Sequence, residues 1–298
     1  SEVIKLLLSQ GLSVEAMNEK GDTPLHVSAQ SNCLSGAREL LKRSNQPLEM
    51  FNKAGRLPIH VAVENGSVVV LKMLLSKGCE GTRETTDEKK QTVLHLAALS
   101  GSVDCVEALL HQQSKEVNKR DAEGNTPLML ACFHVNENNK KRAQQEAGGR
   151  SVIEALLDGG ADGGITNNEG ETAMVIALKN HNVSACEELM TGKNAFKEMV
   201  AKSSSKSVLQ LAVEEIGSGA SGEELWQQIL PYVTTEELMN HRDAEEGATV
   251  MHTAVGKMNK LVIQELIRKG GSLMVRDNKG KLPVEILNIS ETTDPEAR

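Results

Sequence analysis

Histidine has the widest chemical range of the side chains in this sequence, because imidazole can bind a metal ion or transfer a proton near neutral pH. Of the eight histidines, His26, His60 and His95 follow one another at intervals of 34 and 35 residues, and His252 lies in a similar local sequence. A zinc site needs several ligands within about 2.0 to 2.1 Å of one ion. Side chains on neighbouring helices packed about 10 Å apart do not converge in that way. We therefore expect no metal site at these histidines.

Cysteine gives a second test for metal, redox or nucleophilic chemistry. The five cysteines are widely spaced and include no C-x-x-C pair; they are Cys33, Cys79, Cys105, Cys132 and Cys186. An odd, scattered set argues against a zinc site and against a disulfide framework. It indicates a reducing, intracellular, cytoplasmic compartment. No nucleophile, base and orienting group can be proposed together, so we expect neither an enzyme nor a bound cofactor.

Charge and aromatic content restrict the partners and the core. The chain has 33 Lys and Arg against 41 Asp and Glu, and the resulting net charge of −8 has the wrong sign for a nucleic-acid-binding protein. No apolar run approaches the roughly 20 residues that span a bilayer, so we expect no direct membrane insertion of this segment. Only five of the 298 residues are aromatic. Small and aliphatic side chains must then form the core, which favours thin layers of closely packed helices.

A short recurring string indicates the elements that carry these residues. Its clearest copies read Thr-Pro-Leu-His or a close variant. They start at Thr23, Leu57, Thr92 and Thr126, and weaker copies start at Thr172, Ser207, Thr249 and Leu282. An apolar pair, such as Leu40-Leu41, follows the start of the string by 17 residues in five repeats out of seven. The chain is therefore built from repeats of about 34 residues with two insertions.

Each repeat predicts two short helices. Thr supplies an N-cap, and Pro occupies the first helical position, where no backbone donor is needed. Alanine, as at Ala29, lets the next helix approach closely, and Gly66 or Gly101 permits the turn into a second helix. That second helix is predicted to end at Gly11, Gly78, Gly159 or Gly270. Polar stretches with a central glycine predict turns between repeats. Helices this short must stack on their neighbours to be stable.

Together the period, the string and the glycines resemble the ankyrin repeat over essentially the whole chain. The resemblance implies an all-α fold, an ankyrin-repeat solenoid of stacked helix-turn-helix units joined by β-hairpin-like loops. It also implies that the histidine of the string hydrogen-bonds neighbouring loops. A single domain, residues 1–298, is expected. Its repeats are 1–17 (partial), 18–51, 52–86, 87–120, 121–166 with an insertion at 133–150, 167–201, 202–243 (degenerate), 244–276, and 277–298 (truncated, with a polar tail).

Ankyrin repeats usually bind proteins with the tips of the hairpins, here called finger positions, and with the concave first-helix surface, here called palm positions. By register, the finger positions are Glu19, Lys20, Asp22, Lys53, Arg56, Lys89, Gln91, Glu123, Asn125, Glu169 and Glu171. The palm positions are Gln30, Glu64, Asn65, Ser100, Phe133, His134, Lys179 and Asn180. Palm positions are normally polar, so Phe133 either packs under the adjoining insertion or anchors a partner.

Two finer expectations follow. The finger positions are basic in the first three repeats and acidic from Glu123 onwards, which predicts a partner of complementary polarity bound in one direction. An asparaginyl hydroxylase modifies ankyrin repeats at an Asn that follows Val, eight residues after a Leu. Leu110, Val117 and Asn118 match that pattern, so the resemblance implies hydroxylation of Asn118.

The resemblance implies a non-catalytic protein–protein interaction module of an intracellular scaffold or adaptor, monomeric in isolation, that binds a protein or an extended peptide. Two alternatives stay open. The chain starts inside a repeat and without Met, so we expect a piece of a longer protein, which permits the cytosolic ankyrin region of a membrane channel or receptor. The net charge of −8 permits an inhibitor that wraps a basic transcription factor.

Overall fold

A computed structural model describes residues 2–78, 84–85, 88–112, 116–133, 151–180, 182–191, 208–216, 226, 242–243 and 246–286. The chain forms two compact units, Ser1–Asp162 and Gly163–Arg298. Every regular element in the described ranges is helical, as predicted. The prediction of a single domain over residues 1–298 stays a prediction.

The first unit contains α1 (Glu2–Ser9), α2 (Pro24–Gln30), α3 (Leu34–Leu41), α4 (Pro58–Glu64), α5 (Val68–Ser76), α6 (Val93–Ser100), α7 (Val103–Gln112), α8 (Pro127–Cys132) and α9 (Val152–Asp158), with a 3-10 helix at Gln46–Glu49. First helices pack on first helices in the order α2, α4, α6, α8, and second helices pack on second helices in the order α3, α5, α7, α9. The unit is therefore two helical layers, each one helix thick, as the scarcity of aromatic residues predicts.

The first helices begin where the string predicts. The hydroxyl oxygens of Thr23, Thr92 and Thr126 accept hydrogen bonds from the backbone N–H three residues later, at 3.4 to 3.5 Å. Thr172 makes no such bond, and its buried hydroxyl oxygen has no partner. The third residue of each of the four clearest strings is buried in the core. Full burial of a leucine side chain stabilises the fold by about 1.5 to 3 kcal/mol. These core residues are Leu25, Ile59, Leu94 and Leu128.

The turn residues adopt the left-handed backbone that the glycines predict. Gly66 and Gly101 have φ of 64° and 71° between their two helices, and Asn32 holds the same position in the first repeat with φ of 50°. The predicted helix end at Gly159 is confirmed, because α9 ends at Asp158 and Gly159 is its C-cap. Gly159 is right-handed with φ of −72°, and the next residue, Gly160, is left-handed with φ of 91°. Counted from the apolar pair, Gly160 is the residue that matches Gly78 and Gly270.

The repeated histidines join neighbouring repeats by hydrogen bonds, as the ankyrin resemblance implies. The Nδ1 atoms of His26 and His95 accept from the backbone N–H groups of Thr23 and Thr92, both at 3.1 Å. Each Nε2 atom therefore carries the hydrogen and donates to a carbonyl of the next hairpin, Arg56 O at 2.9 Å and Asn125 O at 3.0 Å. Each imidazole thus links its own helix N-terminus to the following repeat.

The second unit contains α10 (Ala173–Lys179), α11 (Val183–Thr191), α12 (Val208–Ile216), α13 (Val250–Gly256) and α14 (Lys260–Arg268), with a 3-10 helix at Pro283–Ile286. His252 repeats the same link, with Nε2 3.1 Å from Lys281 O. In the degenerate sixth repeat Gln210 takes the position of the histidine, and its amide nitrogen donates to Ala248 O at 2.8 Å. Most of that repeat, including residues 217–225 and 227–241, lies outside the described residues.

The buried histidines should make the free energy of unfolding depend on pH. Burial lowers the pKa of His26 and His95, and outweighs the attraction of Asp22 and Asp121 for the protonated rings. The unfolded chain therefore binds more protons than the folded chain once the pH falls below about 6.5. We expect these two groups to leave the free energy of unfolding unchanged above that pH, and to lower it progressively as the pH falls further. Urea unfolding midpoints measured from neutral pH to about pH 5 test this.

A double variant tests whether His26 and His95 cause this loss of stability in acid. His26→Gln combined with His95→Gln keeps a donor at each position, as Gln210 does, but removes the titrating ring. We expect a smaller loss of stability on acidification in this variant. An identical pH profile in the variant and the parent would assign the acid sensitivity to other groups.

Candidate protein-interaction surface

The hairpins between repeats are closed by the side chain of their first residue. In the hairpin 52–56 the Asn52 Oδ1 atom accepts from the backbone N–H groups of Ala54 and Arg56, both at 3.0 Å. The Asn52 N–H in turn donates to Arg56 O at 2.9 Å. The same arrangement recurs in the hairpins that begin at Asn18, Asp121, Asn167 and Asp277. Each loop is thus held in one shape, and the residues at its tip lie in solvent.

Neighbouring hairpins are also joined to each other. Lys53 N donates to Lys20 O at 3.1 Å, and Ala122 N donates to Lys89 O at 3.0 Å. The Asn52 amide adds a bond to Asp22 Oδ1 at 2.7 Å. The first hairpin is therefore joined to the second and the third to the fourth, and Asp22 contributes to the first of these links through its carboxylate.

Most of the predicted finger and palm residues are exposed to solvent in the structure. The exposed finger residues are Glu19, Lys20, Lys53, Lys89, Glu123 and Glu169. The exposed palm residues are Gln30, Glu64, Asn65, Phe133 and Lys179. Four others are half-buried: Asp22, Arg56, Ser100 and Asn180. His134 lies outside the described residues. Their contact with a partner stays a prediction.

Three predicted finger residues are not accessible and need a correction. Gln91, Asn125 and Glu171 are only 5%, 2% and 6% exposed. Each is the residue directly before the start of the string, so it lies at the junction between hairpin and first helix and is enclosed there. The Glu171 carboxylate, for example, accepts from Asn167 Nδ2 at 3.1 Å. These side chains hold the junction and do not belong to the exposed tips.

The register also places two ion pairs that the sequence analysis missed. Arg56, before the first helix of its repeat, lies with Nε 2.8 Å from Oε1 of Glu64 at the end of that helix. Glu171 and Lys179 occupy the same two positions of the fifth repeat with the signs reversed, and they also form an ion pair. Opposite charges eight residues apart at these register positions were the available signal. The members of each pair neutralise one another, so these four residues add little net charge to the surface.

The exposure of Val27 was not predicted from the sequence either. It is 47% exposed on α2, although the equivalent residues of α6 and α8, Leu96 and Leu130, are buried. The fifth residue of the string is thus a surface position in the first repeat and a core position in the third and fourth.

Asn118 has a structural role in the described part of the chain. Its Oδ1 atom accepts from Asp162 N at 2.8 Å, and its Nδ2 atom donates to Gly160 O at 3.2 Å. Both ends of the amide are therefore bonded to the exit loop of the fourth repeat. Hydroxylation of Asn118 stays a prediction, and the mass of the tryptic peptide that contains it, taken from cells, tests it.

The comparisons with known proteins bear on this geometry. The family described as "Ankyrin repeats (3 copies)" matches residues 1–85 and 80–143, and the family described as "Ankyrin repeat" matches residues 123–168. Together these matches span residues 1–168, more than half of the chain. The chain belongs to the ankyrin-repeat family. Ankyrin repeats are non-catalytic modules that bind other proteins.

Curated relatives share the repeats at modest identity. A transient receptor potential cation channel subfamily A member 1 homolog of Caenorhabditis elegans is 27% identical over 203 residues, covering 68% of this chain and 14% of that protein. The ANK repeat-containing protein nipk-1 of the same organism is 28% identical over 183 residues, covering 58% and 30%. The mouse B-cell lymphoma 3 protein homolog is 26% identical over 196 residues, covering 63% and 40%. The chain thus spans well under half of each relative.

One solved structure shares the fold. It is the structure of the predatory endopeptidase Bd0816 from Bdellovibrio bacteriovorus in complex with immunity protein Bd3460. The matching chain has a TM-score of 0.52 and 24% identity, and the match covers 64% of this chain and 91% of that chain. At this identity the likeness concerns the fold alone.

The described residues contain neither a membrane-crossing helix nor a metal-binding cluster. None of their helices has both the length and the apolar character needed to cross a membrane. No three His, Cys, Asp or Glu side chains among them are grouped so that they could hold a metal ion.

Proposed function

We propose that this chain is a non-catalytic protein-interaction module of an intracellular scaffold or adaptor. It binds a protein or an extended peptide through the hairpin tips and the exposed ends of the first helices. The observation that carries the proposal is the set of exposed tip residues, Glu19, Lys20, Lys53 and Lys89, on hairpins that backbone hydrogen bonds join to a neighbouring hairpin. Preorganised loops of this kind bind at low entropic cost, because little ordering is needed on association.

A second candidate is the cytosolic ankyrin region of a membrane channel or receptor. It is favoured by the similarity to the Caenorhabditis elegans cation channel homolog, which is 27% identical over 68% of this chain. In that setting the same tips would bind another part of the channel or an associated protein. Sequencing the full-length gene separates the two candidates, because a channel requires a membrane-spanning bundle elsewhere in the chain.

Affinity capture with matched variants tests the proposed surface. The test variant carries Lys20→Glu, Lys53→Glu and Lys89→Glu at the tips. The control variant carries three equal charge reversals at exposed lysines on or directly after the second helices, Lys42→Glu, Lys72→Glu and Lys77→Glu. We expect proteins retained by the parent and by the control to be lost from the test variant in quantitative mass spectrometry. The same proteins on all three baits would contradict binding at the tips.

A further inference from the structure

The two positions that hold an ion pair in the second repeat hold uncharged residues in the third and fourth repeats. Where the second repeat has Arg56 and Glu64, the third has Gln91 and Leu99, and the fourth has Asn125 and Phe133. Gln91 and Asn125 are buried. Leu99 is half-buried, and Phe133 is 37% exposed. The second repeat thus has a charged pair at these positions, whereas the third and fourth repeats each have one partly exposed apolar side chain, Leu99 and Phe133.

Each of these two side chains, Leu99 and Phe133, lies one helical turn from a buried leucine. Leu96 and Leu99 lie three residues apart in α6, and Leu130 and Phe133 have the same spacing at α8, so each pair shares a helix face. Helices α6 and α8 pack directly on each other. Neighbouring helix axes lie about 8 to 10 Å apart, so Leu99 and Phe133, which hold the same register position of adjacent repeats, are neighbours on this face. We call Leu99 and Phe133 the apolar window.

Cations predominate at the tips of the first three hairpins. The exposed tip residues there include Lys20, Lys53, Lys89 and Lys90 against Glu19 and Glu88, an excess of two positive charges in a chain of net charge −8. The backbone bond from Ala122 N to Lys89 O places the last of these tips beside the hairpin that leads into α8. An approaching acidic segment is attracted to these lysines, whereas a basic segment is repelled.

We propose that the apolar window binds one bulky apolar side chain, preferably aromatic, from an extended acidic segment of a partner protein. The carboxylates of that segment lie along Lys20, Lys53 and Lys89. An aromatic ring suits the window because its flat faces and edges pack against both Phe133 and Leu99. The proposal rests on the proposed function and specifies the chemistry of the partner at the same surface.

Fluorescence anisotropy with defined peptides tests this chemistry. The probe is a fluorescein-labelled peptide of alternating Glu and Ser with one central Phe. Its two comparison peptides have Ser in place of the Phe, or Lys in place of every Glu. We expect the parent chain to bind the acidic Phe peptide about tenfold more tightly than the acidic Ser peptide, because anchor residues supply much of the affinity of an interface. The basic peptide should bind more weakly than either.

Matched variants separate the window from the tips. Phe133→Gln and, separately, Leu99→Gln introduce the residue that Gln30 supplies at the same position of the first repeat. Each should remove the preference for Phe over Ser, whereas Phe133→Leu should keep part of it. The triple variant Lys20→Glu, Lys53→Glu, Lys89→Glu should weaken both acidic peptides about tenfold and favour the basic one. Val69→Ser changes an exposed apolar residue on α5 and should leave all affinities unchanged.

Several results would overturn the proposal. Equal or undetectable binding of the acidic Phe and Ser peptides rules out an apolar anchor. Tighter binding of the basic peptide rules out an acidic partner. If Phe133→Gln lowers the thermal unfolding temperature but leaves peptide affinity unchanged, the ring serves the fold. Should affinity capture still depend on the tips while the peptides show no preference for Phe, the proposed function stands and this inference alone falls.

Discussion

Replacing Gly21 with alanine is expected to lower the free energy of unfolding by about 2 to 3 kcal/mol. Gly21 has φ of 77°, and a left-handed backbone costs a non-glycine residue about 1 to 2 kcal/mol. A Cβ atom at this position would also lie 2.8 Å from the backbone nitrogen of Lys53. That nitrogen donates the bond to Lys20 O that joins the first two hairpins, and its loss adds about 1 kcal/mol. Urea unfolding followed by far-UV circular dichroism measures the change.

Gly66→Ala is the matched control for Gly21→Ala. Gly66 is also left-handed, with φ of 64°, but an added Cβ atom would meet nothing within 4 Å. Its substitution should cost only the backbone strain, about 1 kcal/mol after the lower entropy of the unfolded alanine chain is included. Equal effects of the two substitutions would mean that the contact between hairpins contributes nothing to stability.

Replacing His95 with methionine is expected to lower the free energy of unfolding by about 2 to 4 kcal/mol. Methionine is the residue found at this position of the fourth repeat, Met129, so the side chain fits the register. It cannot donate to Asn125 O, and the buried Thr92 N–H would exchange an imidazole acceptor for a weak sulfur acceptor. A buried polar group left without its partner costs about 1 to 3 kcal/mol. Equilibrium urea unfolding of the purified chain gives the difference.

Glutamine at the same position provides the internal comparison. Gln210 already replaces the histidine in the sixth repeat and donates to the next hairpin at 2.8 Å. His95→Gln should therefore lose less stability than His95→Met, because the link between the third and fourth repeats can re-form. If the two variants are equally unstable, the hydrogen bond to Asn125 O is not the source of the effect. His111→Gln, at an exposed histidine, should change stability by less than about 0.5 kcal/mol.

Local features of the fold were predictable from the sequence because they depend on residues close together in the chain. The N-cap at Thr23 and the histidine at His26 lie three residues apart, and both bond within one helical turn. The left-handed turn at Gly101 depends on the conformational freedom of one residue. Such interactions recur wherever the string recurs, so one repeat predicts the next.

Exposure at the candidate surface was less predictable because it depends on how the hairpin meets the first helix. Glu123 and Asn125 are two residues apart in one hairpin, yet Glu123 is exposed and Asn125 is 2% exposed. Composition and register treat both as polar loop residues. Only the folded hairpin shows that Asn125 is enclosed where the hairpin meets the first helix.

The amino-acid sequence by itself determined the family, the period, the helix pairs and the histidine position, since each follows from local hydrogen bonding and apolar spacing repeated about every 34 residues. The tertiary structure decided which polar residues face solvent, which charges cancel, and what Asn118 bonds. Arg56 and Glu64 are ordinary surface charges until the hairpin folds back along the helix and brings them to 2.8 Å. Asn118 and Asp162 meet across 44 residues because two repeats stack, a contact that no short stretch of sequence encodes.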